Sequence, residues 1–315
     1  MEYPIIDGHC DTVRLFDTDN YDFSKRNGEG HLDLPRLKEG NVKLQFFALY
    51  IEEEYKPVGS LKRCLTLLER YFETMESCPD DFITIYSAAD LKNLFNSDKI
   101  GALLCIEGGE ALEGEIAVLQ SLFRLGIRAI GLTWNQQNQL ATGVGSGIRG
   151  EGLTSFGKNV IVEMNRMGML VDLAHINEDG FFEAVETSSK PVVVSHANAR
   201  SLCNHPRNLS DEELKKLSEN DGVIGVSFYP DFIDPKNPTF DRLLDHFVYI
   251  ADIIGTEHLG IGSDFDGIDK VLHGLEDVTG LSGLITGLKR RGFTSEDIAR
   301  ITSKNFYRIL SDVLP

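Results

Sequence analysis

The feature that most constrains this chain is a repeating alternation. Short apolar runs rich in β-branched and aromatic residues recur between stretches whose apolar positions follow helical spacing. That alternation favours a parallel sheet joined by crossover helices. Eight strands are expected, at 4–9, 43–50, 101–107, 128–134, 169–175, 191–196, 222–228 and 259–264. Helices are expected at 61–76, 89–95, 116–125, 156–166, 211–219 and 240–254, the fifth preceded by Ser210 as an N-cap with Glu213 three residues on. Two more, at 282–291 and 295–310, would close the C-terminal end. Eight is the number that closes a (β/α)8 TIM-type barrel, and 315 residues fit one such α/β barrel with C-terminal helices, a single domain over 1–315. No linker, charge block or low-complexity tract divides the sequence.

Composition supports a packed core and narrows the partners. Hydrophobic residues make up 42% and charged residues 25%, an ordinary globular balance. Lys plus Arg number 31 against 49 Asp plus Glu, so the formal net charge of −18 repels a phosphate backbone and argues against nucleic acid. No run reaches the roughly 18 apolar residues of a membrane span. The opening MEYPIIDGHCD lacks the basic and long apolar regions of a secretory signal, so a cytoplasmic protein is expected, with no membrane partner. Five cysteines, odd in number and without C-x-x-C spacing, read as reduced core thiols rather than disulfides or zinc ligands.

Two irregular segments, 11–40 and 135–152, follow expected strands, the second rich in glycine. Loops after strands lie at the active end of a barrel. The expected strands also end in a pattern. His9 and Asp11 leave the first together, and four others end at Glu107, His175, His196 and Asp264. In a parallel barrel all strand C-termini open onto one rim, so residues far apart in sequence would converge there. Nitrogen and oxygen ligands without thiolate suit zinc, with manganese, iron or cobalt also compatible. Three histidines and two carboxylates exceed what one open catalytic ion needs. Two ions bridged by one carboxylate would use them all and, at about 3.5 to 4 Å apart, hold a hydroxide between them as nucleophile. Asp264 would then be available to move protons.

These residues sit in motifs that resemble a known family. Through DGHCDT, CIEGGEAL, LTWN, VDLAHIN, SHANAR, HPRNLSDEEL, GSDFDG and GLEDV, in order and nearly end to end, the chain is similar to the membrane dipeptidase (renal dipeptidase) family of the amidohydrolase superfamily. The resemblance implies two Zn2+ per subunit on a (β/α)8 barrel. His9, Asp11 and a bridging Glu107 would hold one ion, and Glu107, His175 and His196 the other. Asp264 matches the proton-transfer residue, and Arg207 in HPRNL the arginine that takes the substrate carboxylate, a role suited to a bidentate guanidinium. Arg200 in SHANAR is given no role. Mammalian relatives carry a histidine where this chain has Trp134, a departure resembling the bacterial branch. Help to the developing oxyanion would then fall to Asn135 or to the metals.

The expected activity is thus hydrolysis of dipeptides, including those with a C-terminal D residue, by a homodimer acting on a small substrate. The alternatives are another amidohydrolase-type enzyme (lactonase, deaminase, phosphotriesterase-like or β-lactam hydrolase), a catalytically silent metal-binding relative, and a barrel isomerase or aldolase, for which no phosphate loop is seen. Asp7, two residues before His9 and expected on its face, reads equally as a ligand-orienting carboxylate or a buried hydrogen-bonded one. Asp266 is expected to shape a turn. Trp134, Phe228 and Phe232 are expected as core or pocket wall, and His31, His205, His246, His258 and His273 as structural.

Overall fold

The computed structural model describes residues 3–18 and 20–315. Among these residues nine strands run parallel: β1 Ile5–Cys10, β2 Val42–Tyr50, β3 Phe82–Thr84, β4 Ile100–Glu107, β5 Ala129–Gly131, β6 Leu170–Asp172, β7 Val193–Ala197, β8 Val223–Val226 and β9 Leu259–Ile261. Because β4 pairs with both β2 and β5, the order β2-β1-β9-β8-β7-β6-β5-β4 closes on itself as an eight-stranded (β/α)8 barrel. The short β3, not expected from sequence, pairs with the first residues of β4 (Phe82 beside Ile100, Thr84 beside Ala102). β5 meets the same strand further on, at Cys105 and Ile106.

Side-chain alternation along β2 separates two cores. Leu44, Phe46 and Ala48 point into the barrel, while Phe47 and Leu49 join the layer between barrel and helices. Helices Ser60–Glu76, Ala88–Phe95, Ile116–Arg124, Ser155–Met167, Asp211–Glu219, Phe240–Ile254 and Leu281–Arg290 lie close to their expected positions. Glu178–Thr187 and the six-residue Leu34–Glu39 were not foreseen. In the former, Gly180 weakens the helical signal, and a Cβ there would lie 2.8 Å from Ile176 Cδ1 and 2.9 Å from Asn177 Oδ1, the oxygen that caps this helix. All five cysteines are buried and none is bridged. No helix among the described residues is long and apolar enough to cross a membrane.

The barrel mouth opposite the strand C-termini is plugged by the last helix, which runs from Ser295 to Val313 with a π-helical turn at Arg300–Lys304. Phe306, Ile309 and Leu310 complete the barrel interior. A Cβ on Gly8 would fall 2.7 Å from the Phe306 ring and one on Gly260 2.3 Å from it, so both glycines make room for this plug. Asn305 fixes its depth by donating to the carbonyls of Thr256 and Leu259, each at 2.7 Å. Phe306→Ala is expected to cost about 3–5 kcal/mol of stability, read as a lower urea midpoint.

Candidate metal centre

Six side chains meet at the C-terminal rim: His9 and Asp11 from the end of β1, Glu107 from β4, His175 beyond β6, His196 from β7 and Asp264 beyond β9. The backbone departs from regular strand to bring them there. A register shift in β1 between Asp7 and Cys10 breaks the period of two, so Asp7 and His9 do not share a face as expected. Asp7 stays outside with Gln45, accepting hydrogen bonds from the Ser263 amide (2.8 Å), the Ser263 hydroxyl (2.6 Å) and Gln45 (3.1 Å). His9 turns into the mouth, its ring 4.0 Å from that of His196. A second shift, between Val194 and Ala197, accompanies His196. The ladders of β6 and β9 end at Asp172 and Ile261, short of the expected strand ends, and His175 and Asp264 follow in left-handed conformations with φ of 69° and 66°. Side chains other than glycine pay for such backbone, and it clusters where a site must be held in place.

Glu107 is the hub. Its Oε1 lies 2.8 Å from His175 Nε2, 3.5 Å from His196 Nε2 and 3.8 Å from His9 Nε2, and His9 Nε2 is 3.3 Å from Asp11 Oδ2. Two groups of possible ligands therefore share this carboxylate: His9, Asp11 and Glu107, and Glu107, His175 and His196. A third, His9, His196 and Asp264, overlaps both.

The donor chemistry fits divalent cations. His175 Nδ1 pairs with Asn135 Oδ1 and His196 Nδ1 with Ser195 Oγ, each at 2.9 Å. The two Nε2 atoms consequently face one another at 3.0 Å, both deeply buried. Burial, then the Arg207 charge for His175 and the His9 charge for His196, pushes both imidazoles well below their usual range, into the neutral form that ligates metals. Burial would lower His9 too, but Glu107 and Asp11 outweigh it and hold it up to about 10. Glu107 is driven well up by burial and by Asp11, and Asp264 to about 7, chiefly by burial. Asp11 Oδ1 is buried with no hydrogen-bond partner among the described residues. Three carboxylates so placed call for positive charge that the protein does not supply in full. Gly267 keeps the space between two of them open, since a Cβ there would lie 2.1 Å from Asp11 Oδ2 and 2.7 Å from Asp264 Oδ1.

A pocket of about 630 Å³ opens over the cluster, walled by Tyr50, Trp134, Asn135, Gln136, Val144, Tyr229, Phe232 and Ile268. Arg207 reaches into it, 5.3 Å above the Phe232 ring. Its guanidinium donates to the His196 carbonyl at 3.2 Å, while Nε is buried without a partner among the described residues. Burial lowers its pKa to about 10, which leaves it charged at neutral pH. Arg200 instead pairs with Glu178 and Glu213 at 3.0 and 3.1 Å. Asp266 ties three segments together, accepting from Thr12 (2.5 Å) and from the His31 amide (2.6 Å). His205, read from sequence as structural, lines the pocket, and its Nδ1 accepts the Arg207 amide at 3.2 Å. Ser195, the residue before His196, carried no separate signal in the sequence. Neither did Tyr50, which the β2–β4 register sets beside Glu107.

A parallel barrel with histidines and carboxylates gathered at its C-terminal rim presents the ligand types of a metal-dependent enzyme. The chain belongs to the membrane dipeptidase family, peptidase family M19, whose model matches residues 1–314, and is a metal-dependent dipeptidase. It is 33% identical to an uncharacterized dipeptidase from Schizosaccharomyces pombe, over 98% of this chain and 80% of that protein. It is 31% identical to a dipeptidase from Claviceps purpurea, over 98% and 76%. Among solved structures it is similar to a metallopeptidase from Rhodobacter sphaeroides liganded with a phosphinate mimic of L-Ala-D-Ala. That match has 27% identity and a TM-score of 0.93, and covers 99% of both chains. Matched proteins thus come from fungi as well as bacteria.

Asn135→Ala and Ser195→Ala leave every ligand atom in place but release a ring nitrogen. Each is expected to weaken metal binding by about 10- to 100-fold, measured by competition against a chromophoric chelator.

Proposed function

We propose that five of the rim residues, His9, Asp11, Glu107, His175 and His196, hold two zinc ions, with Glu107 as the shared ligand, and that the chain hydrolyses dipeptides, including those with a D residue at the C-terminal position. The observation that carries this reading is the Glu107 carboxylate, whose Oε1 faces His9, His175 and His196 within 3.8 Å and so belongs to two ligand sets at once. Zinc held there would make a nucleophile of water available at neutral pH and would offset charge developing on the substrate carbonyl oxygen. His9 and Asp11 complete one ligand set, His175 and His196 the other.

The rest of the work falls to the protein. Arg207 receives the dipeptide's free carboxylate on the unpartnered edge of its guanidinium and thereby places the scissile bond over Glu107. Asp264 Oδ1, 3.9 Å from His9 Nε2, takes the proton released during attack and delivers it to the departing amine. Asn135, fixed on His175 Nδ1, acts through that histidine, so its contribution to the oxyanion is indirect. The aromatic wall of Tyr50 and Trp134 bounds the pocket and excludes water. The C-terminal D preference draws support from the L-Ala-D-Ala mimic held by the Rhodobacter sphaeroides metallopeptidase.

Metal content, a substrate panel and two variants test the reading. Metal content by mass spectrometry is expected to give two zinc ions per chain; manganese, iron or cobalt would correct the metal, and one ion per chain would overturn the shared-ligand site. In a panel of L-Ala-L-Ala, L-Ala-D-Ala and L-Ala-D-Glu, turnover of the D-containing substrates is expected. Retained metal with no turnover of any dipeptide would favour a catalytically silent relative instead. Asp264→Asn should keep both metals and lose about 10²- to 10⁴-fold in kcat. Arg207→Met should act mainly on KM for free dipeptides and little on their amidated counterparts.

A further inference from the structure

The segment CIEGGEAL contributes Glu107 to the site, yet it carries a second acid, Glu110, in the short 3₁₀ turn Gly109–Leu112. Glu110 is buried, and a Cβ on Gly108, where φ is +91°, would fall 2.3 Å from its Oε2, so the turn is shaped to admit this carboxylate. Opposite stands Lys56, whose side chain is only 9% exposed and whose Nζ lies 3.7 Å from Glu110 Oε1. Among the described residues neither Glu110 oxygen nor the ammonium has a hydrogen-bond partner. A lysine buried on charge pairing alone is costly. Two ring faces offset that cost, because Nζ sits 4.9 Å from the centre of the Trp134 ring and 5.3 Å from that of Tyr50. Those two rings are 5.3 Å apart and both line the pocket, and the Trp134 ring lies 5.9 Å from that of His175. Lys56 and Glu110 are not among the residues lining the pocket and therefore stand behind the two rings that wall it.

We propose that Lys56, held by Glu110, is a positioning residue for dipeptide binding: its ammonium clamps the Tyr50 and Trp134 rings together and fixes the indole beside His175. The proposal rests on the dipeptidase reading for its substrate, but not for its structural half. Trp134 is the chain's single tryptophan, so its emission reports on the wall without any turnover.

The test compares Lys56→Met, Lys56→Arg and Glu110→Gln with the parent protein, all metal-loaded. Lys56→Met is expected to raise KM for L-Ala-D-Ala about tenfold with kcat held within about threefold. It should also leave metal content unchanged, shift tryptophan emission to the red and increase quenching by acrylamide. Glu110→Gln is expected to move the same readouts in the same direction, and Lys56→Arg to restore them. Should the lone buried carboxylate left by Lys56→Met prevent folding, the double variant Lys56→Met/Glu110→Gln removes both charges and is expected to show the same KM and emission changes. Unchanged emission, quenching and KM in a folded, metal-loaded Lys56→Met or double variant would overturn the proposal. A parent protein that cleaves no dipeptide would defeat the substrate reading, while the emission and quenching arms would still judge the clamp.

Discussion

The structure turns on mutual repulsion at one barrel mouth. Asp11, Glu107 and Asp264 are buried within reach of one another and of three imidazoles, two of which present Nε2 atoms 3.0 Å apart. Such a cluster is unfavourable for protein groups on their own, and bound cations relieve it by taking up the lone pairs and the negative charge together. The surrounding scaffold is arranged to tolerate this concentration of charge. Gly267 leaves the gap between two carboxylates, Asn135 and Ser195 anchor the far ring nitrogens, and Arg207 adds a fixed positive charge from the pocket side.

The two ends of the barrel divide the labour. At the N-terminal end, Phe306 and its neighbours pack against glycines in β1 and β9, with apolar atoms in contact and the helix pinned by Asn305. At the C-terminal end the strands fray from their ladders. Register shifts in β1 and β7 and left-handed residues after β6 and β9 aim polar side chains inward. Backbone irregularity is affordable there because the opposite end supplies the packing.

Much of this was legible in the chain itself. The alternation of strands and helices fixed the barrel, and all six rim residues were identifiable as polar groups ending apolar runs. Legibility failed where period-two reasoning met a bulge: Asp7 was expected on the face of His9, yet its side chain bonds to Ser263 and Gln45 on the other side of the sheet and meets His9 only through that residue's amide, which leaves the buried, hydrogen-bonded reading of this carboxylate. It failed again for His175 and Asp264, read as the last residues of strands that in fact stop at Asp172 and Ile261. A turn of that kind is decided by tertiary neighbours, and nothing in VDLAH or GIGSD announces it.

By itself the sequence determined which chemistry was available, because side-chain identity and the order of apolar runs are local properties: imidazoles and carboxylates without thiolate, placed at the ends of parallel strands. Only the tertiary structure decided that Asn135 serves His175, and that Lys56 and Glu110 stand behind Trp134. These are contacts between residues tens of positions apart, and their distances depend on barrel closure, strand register and loop path, which no short window of the chain encodes.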